Sequence, residues 1–203
     1  MSFSKFMTGA VAAAVVSIGL LTVAASFAQE EEPQRFLFIA ENDNGKVWAN
    51  LTLTVQRTAE PYLPMVVAVE NRAKDSITLG RDSFFLSDLD EIVYVMPSIK
   101  EIRKNYDKMV MDYRTVSYAG IPWENWRWTR RLEMANFFPD MRATARGNTV
   151  LDRVTLRHRH AMVNLLYFER PRNLELGRPF FLTVQPKKGK GWEIPIRMRI
   201  VIS

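Results

Sequence analysis

Hydrophobic positions fall along this chain in short runs parted by polar turns. The stretch from Tyr62 to Met96 shows the pattern most plainly. It holds an apolar run (Pro64 to Val69), a polar turn (Asn71 to Asp75), an apolar step (Ile77 to Leu79), a second run (Phe84 to Leu86) and a third (Ile92 to Val95) after an acidic turn. Runs rich in Val, Ile and Phe, broken every eight to twelve or so residues by Asn, Asp and Gly, predict an antiparallel β-sandwich. Upstream, Phe36 to Ala40 reads as a first strand closed by Asn42-Asp43-Asn44-Gly45, residues that tolerate the left-handed backbone angles of a tight hairpin. Val47 to Arg57 then alternates, with Val47, Ala49, Leu51, Leu53 and Val55 facing one way, so one side is expected buried and the other wet. Trp48 breaks the alternation and is expected to cover an edge.

Residues 97–140 depart from this pattern. Ser98-Ile99-Lys100-Glu101 is a capping box, in which the serine accepts from a free backbone N–H and the glutamate reaches back, so a helix begins there. Ile99, Ile102, Tyr106, Met109, Val110 and Tyr113 follow on one face at helical spacing, with Lys100, Lys104, Asp107, Lys108 and Asp112 opposite. The expectation is a helical insertion around residues 98–135, laid over an open end of the sheets or against a partner. After Gly120-Ile121-Pro122 comes the least ordinary composition in the chain: Trp123, Trp126, Arg127, Trp128, Arg130 and Arg131 within nine residues. Trp and Arg bury large areas while keeping a polar handle, which makes this stretch the candidate interaction site. The same residues suit a groove that stacks a sugar or holds a phosphate, and equally a packing role with the arginines in solvent.

The closing third is again β. Val150 to His160 carries both histidines of the chain, His158 and His160, two apart and hence on one side if the stretch is a strand. Two imidazoles at that spacing are the weak metal candidates, opposed by the flanking Arg157 and Arg159. Met162 to Glu169, Pro179 to Gln185 and Trp192 to Ile202 read as strands, the last with Ile194, Ile196 and Met198 facing in and Arg197 and Arg199 facing out. The line MVVAVENRAKDSITLGRDSFFLSD, together with HAMVNLLYFERPRNLELGRPFFLTVQP, resembles the telokin-like, immunoglobulin-type β-sandwiches of secreted bacterial proteins. The resemblance covers about half of the chain after residue 28 and implies fold and export. It implies no catalytic residues.

Other features fix an address and narrow the chemistry. Residues 1–28 contain one early cation, Lys5, then an uncharged run from Met7 that ends Ala25-Ser26-Phe27-Ala28, after which the chain turns acidic. This is the pattern of a signal peptide cleaved after Ala28, leaving residues 29–203 as a single periplasmic or extracellular domain; the alternative is an uncleaved N-terminal membrane anchor. The chain has no cysteine, so packing and not disulfides must hold the fold, which favours a bacterial envelope. Charge is polarised along the sequence: residues 29–96 hold 6 basic and 12 acidic side chains, whereas 97–203 hold 21 basic and 10 acidic. A basic half can meet an anionic surface or polymer, while export removes nucleic acid as a partner. No Gly-x-Ser-x-Gly elbow, phosphate-cradling glycine loop or His-Glu-x-x-His occurs, and Asp88 and Asp90 read as turn chemistry. The expectation is a non-catalytic protein without a cofactor, an adaptor or structural subunit of an envelope or extracellular assembly. A soluble module for an anionic or carbohydrate ligand is the competing class.

Overall fold

The computed structural model describes residues 36–118, 131–134, 137–138, 153–171, 174, 177–188 and 192–199. All belong to one compact unit, Phe36–Ser203, and the fold is mainly β. The first hairpin forms where the sequence places it. Strand β1 (Leu37–Asn42) turns through Asp43 and Asn44 into β2 (Gly45–Asn50), and the Asn42 carboxamide oxygen accepts the N–H groups of Asn44 and Gly45 at 2.9 and 3.0 Å. That side-chain turn stands in for backbone bonds the tight loop cannot make.

A single short helical turn, α1 (Thr52–Val55), then leads to β3 (Tyr62–Asn71). The strands β4 (Ile77–Gly80), β5 (Phe84–Ser87) and β6 (Val93–Tyr94) follow. Helices α2 (Ile99–Asn105) and α3 (Met109–Tyr118) come next, then β7 (Arg131–Met134), β8 (Arg153–Leu156), β9 (His160–Glu169), β10 (Pro179–Val184) and β11 (Ile194–Arg199). Among the described residues the larger sheet runs β1-β2-β3-β9-β7, a second runs β11-β10-β5-β6, and β4 pairs with β8. Pairing is antiparallel except for β7, which lies parallel to β9.

The centre is the β3–β9 pair, in continuous register from Tyr62↔Glu169 to Glu70↔Ala161. Side chains alternate across a strand, so partners in register share a face. Leu63, Met65, Val67 and Val69 share one face with Met162, Leu166 and Phe168, and all of these but Leu63 join Phe84, Leu86, Phe180, Leu182, Ile194, Ile196 and Met198 of the second sheet in one buried core. On the opposite face Trp48 packs with Ala68 and Val163, and Lys46 Nζ sits 5.0 Å from its ring. Trp48 therefore covers no edge: β2 is interior, flanked by β1 and β3.

The capping box is present, with Glu101 N–H donating to Ser98 Oγ at 3.2 Å and Ser98 N–H donating to the Glu101 carboxylate at 2.7 Å. The insertion nevertheless differs from one continuous helix over 98–135. The chain breaks at Tyr106–Lys108 between α2 and α3, and Arg131–Met134 is a strand. The break changes the phase of the second helix: Asp112, expected outward, is fully buried, while Tyr113, expected inward, is 39% exposed. Ile102, Tyr106 and Met109 are buried as expected.

The ends of the two larger sheets meet at Gly45. Trp192, immediately before β11, donates its indole N–H to Asn44 O at 2.8 Å, and a Cβ added at Gly45 would stand 2.4 Å from Trp192 Cζ2 and 2.7 Å from Glu70 O. Neither wall can retreat, because the ring is fixed by its hydrogen bond and the other atom is backbone. Gly45→Ala is therefore expected to destabilise the fold by about 1–3 kcal/mol through overpacking, read as a lower urea midpoint.

Candidate functional site

The exposed apolar surface gathers around β6, the last strand of the second sheet. It is presented by the turn that precedes it. Asp88 accepts the N–H groups of Asp90 and Ile92, both at 3.0 Å, and the Tyr94 hydroxyl at 2.8 Å. Those donors hold the Asp88 carboxyl below its ordinary value despite the opposing pull of burial. Glu91 completes the reversal with a left-handed backbone, φ 59°.

Beyond the turn Tyr94 points into the core, whereas Leu89, Ile92, Val93 and Val95 are exposed at 56, 47, 54 and 53%. Behind this edge lies an open, apolar depression of about 400 Å³, walled by Phe84, Phe85, Val93, Val95 and Met96 with Arg81 and Asp82 at its rim. Arg81 donates to the carbonyls of Pro97 and Phe137, and its guanidinium lies 4.4 Å above the Phe138 ring. One cation thus fixes the end of the β6 segment to the residues that follow β7.

The residues singled out by sequence are only partly accounted for. Trp123, Trp126, Arg127, Trp128 and Arg130 lie outside the described residues, and Arg131 opens β7, in register beside His160. The two histidines do not share one strand. Arg157–Arg159 forms the turn between β8 and β9, with Arg159 in the left-handed region at φ 61°, so His158 lies in the turn and His160 begins the strand. His158 Nδ1 is 2.9 and 3.0 Å from the carbonyl oxygens of Arg72 and Ala73. Carbonyls only accept, so Nδ1 carries the proton. Around it Glu70, Arg72 and Arg159 line an open concavity of about 420 Å³, where Arg72 Nε donates to the buried Glu70 carboxylate at 3.1 Å and Arg72 Nη1 reaches Glu41 at 3.2 Å. Among the described residues no group of three or more His, Asp or Glu is placed to hold a metal ion.

A third polar constellation, which helical periodicity missed, is buried where the helices meet the sheet. Arg57 Nε, just after α1, donates to Asp112 Oδ1 at 2.9 Å, and the Tyr106 hydroxyl donates to Oδ2. Tyr106 stacks edge-on against Tyr167 of β9 at 5.6 Å, and Tyr167 against Phe138 at 5.2 Å. Burial pushes the ionisation of both tyrosine hydroxyls to higher pH than usual, and the neighbouring Asp112 carboxylate adds to the shift. For Asp112 itself burial is the largest influence and pushes the carboxyl above its ordinary value, against the donors Tyr106 and Arg57. Its chemistry is cohesive: one carboxylate ties α1, α3 and the α2–α3 junction together against β9.

Two outcomes test that role. Tyr106→Phe leaves a buried acceptor short of a donor and is expected to cost about 1–3 kcal/mol. Because the folded-state value of Asp112 is raised, its share of stability is fully present below the ordinary value of 3.8 and is lost as pH rises through the raised value. Asp112→Asn removes this dependence, so the stability difference moves in the variant's favour as pH rises, measured by urea denaturation across a pH series. Set against known proteins, the chain matches no family model, no curated protein sequence and no solved structure.

Proposed function

We propose that this chain is a non-catalytic, exported β-sandwich that serves as an adaptor or structural subunit of an envelope or extracellular assembly. The observation that carries the reading is the apolar segment at β6, where Leu89, Ile92, Val93 and Val95 stand about half exposed and Val93 and Val95 line one apolar depression. Contiguous apolar surface of this kind, rimmed by polar residues, marks a protein contact more often than bare solvent. In this reading the two larger sheets stack face to face in the immunoglobulin manner. Their shared core, which draws Met65, Val67 and Phe168 together with Leu86, Leu182 and Ile196, supports that arrangement.

Export rests on the pattern of residues 1–28, with cleavage after Ala28 and an uncleaved anchor as the alternative. Among the described residues no helix is long and apolar enough to cross a membrane. A second reading, a binding module for an anionic or carbohydrate ligand, is favoured by one observation. Arg72, His158 and Arg159 gather at one concavity, and Arg131, the last residue of the Trp/Arg stretch, is in register beside His160.

The test is the double substitution Val93→Lys with Val95→Lys, made in the full chain in its own cells. As exposed positions they should alter stability by no more than about 0.5 kcal/mol. The unaltered protein is expected to elute within a large assembly and the variant to leave it; retention of the variant in that assembly would overturn the reading.

A further inference from the structure

The second sheet has a side turned away from the core, and its side chains fall in an ordered pattern. Phe84, Leu86, Leu182 and Ile196 belong to the core, so alternation sends Phe85, Ser87, Phe181, Thr183, Arg197 and Arg199 outward. Register sorts these outward groups into rows across the strands. One row reads Val93, Ser87, Phe181, Arg197 from β6 to β11, and the next reads Phe85, Thr183, Pro195 across β5, β10 and β11. Each row sets one phenyl ring beside one small hydroxyl side chain, and the order reverses between the rows. Phe85 and Phe181 are half-buried, and neither is packed into the buried core.

Charge divides the same face. Arg197 and Arg199 are exposed on the β11 margin, and among the described residues neither makes a hydrogen bond or ion pair. On the β6 margin Asp90 and Glu91 are exposed in the turn before the strand. That turn lies at the end of the sheet where Pro179 pairs with Arg199, since Asp88 and Asp90 share a cleft with Pro179.

Resting on the interaction reading above, and naming the partner it leaves open, we propose that this outer face stacks on the same face of a second copy of this chain, about a two-fold axis running along the strands. Such an axis exchanges the margins, laying β6 of one copy over β11 of the other and β5 over β10. Phe181 then meets Ser87 and Phe85 meets Thr183, large on small in both rows, as interdigitating layers require. Val93 meets the apolar stem of Arg197, and the acidic turn meets Arg199. Symmetry repeats every contact. An axis across the strands would instead set β11 on β11 and bring the two arginines against their own copies, which like charges oppose.

The face is used once on each copy, so the assembly closes at two chains and gives no filament. Four strands about 4.8 Å apart, each no longer than about 20 Å, offer roughly 300 Å² between the outer strand axes. That is well below the roughly 800 Å² per partner of a standard interface, so the dimer is concentration-dependent.

The exchange of ring and hydroxyl makes the contact readable by mixing. Ser87→Phe sets ring against ring at both symmetric contacts, and Phe181→Ser leaves a gap at both. Light scattering of the full chain from about 1 to about 100 µM is expected to show the unaltered protein rising from one chain toward two, and each variant alone staying at one. Mixed in equal amounts, the two variants complement each other at both contacts, and the mass is expected to rise toward two chains again. Arg199→Glu is expected to weaken association, and Arg199→Glu with Glu91→Arg to restore it; this exchange at exposed positions decides the matter if a ring variant fails to fold, as its urea midpoint shows. A single-chain mass for the unaltered protein throughout, or a mixture of folded variants no heavier than its parts, would overturn the proposal. If the purified chain stays single while Val93→Lys with Val95→Lys still releases it from its cellular assembly, the second copy is excluded and the interaction reading stands. If neither measurement responds to these substitutions, both fall.

Discussion

Everything in this molecule is arranged about a pair of long strands that need cover on both sides. β3 and β9 are paired over most of their length, and from Ala161 to Phe168 every residue of β9 is buried. A strand buried on both faces reads as a near-continuous apolar run and obliges the chain to supply two layers of packing. On one face, residues of the pair share a buried core with residues of the second sheet. On the other, Tyr167 packs edge-on against Tyr106, which joins α2 to α3, and against Phe138. The helical excursion is thus a consequence of the central pair.

That outer layer contains polar groups because it is built from short helices. Together α2 and α3 bury Asp112 along with Ile102 and Met109. A carboxylate in that position is tolerable only with donors around it, and Arg57 and Tyr106 supply them from opposite sides. The cluster gives the layer a fixed seat, since an ion pair with this geometry has one arrangement where apolar packing alone has several.

Much of the fold was legible in the sequence, for physical reasons that also explain the failures. The β1–β2 hairpin, the capping box at Ser98 and the in–out alternation of β11 are local, and local chemistry decided them. Asp112 was misplaced because periodicity assumes an unbroken helix, and nothing nearby announces the break at Tyr106–Lys108. His158 and His160 were set on one strand because the left-handed turn at Arg159 uses no glycine. The β6 edge was visible as an apolar run, Ile92 to Val95, but exposure depends on which strand ends a sheet, and that is a property of the whole topology. Of the Trp/Arg stretch only Arg131 falls among the described residues, which places its end beside β9.

Arg81 has a meaning beyond the edge it borders. By holding the carbonyls of Pro97 and Phe137, it brings together the two ends of the excursion that begins with α2. A loop whose mouth is closed by a fixed clasp feels its own length weakly, since each doubling adds only about 0.6 kcal/mol of closure entropy. The tolerance stops at the buried anchors, since Ile102, Tyr106, Met109 and Asp112 are packed in the core and β7 pairs with β9. The clasp therefore fixes the spacing of the excursion's two ends, so that the helices and β7 between them are held to the sheet from both sides.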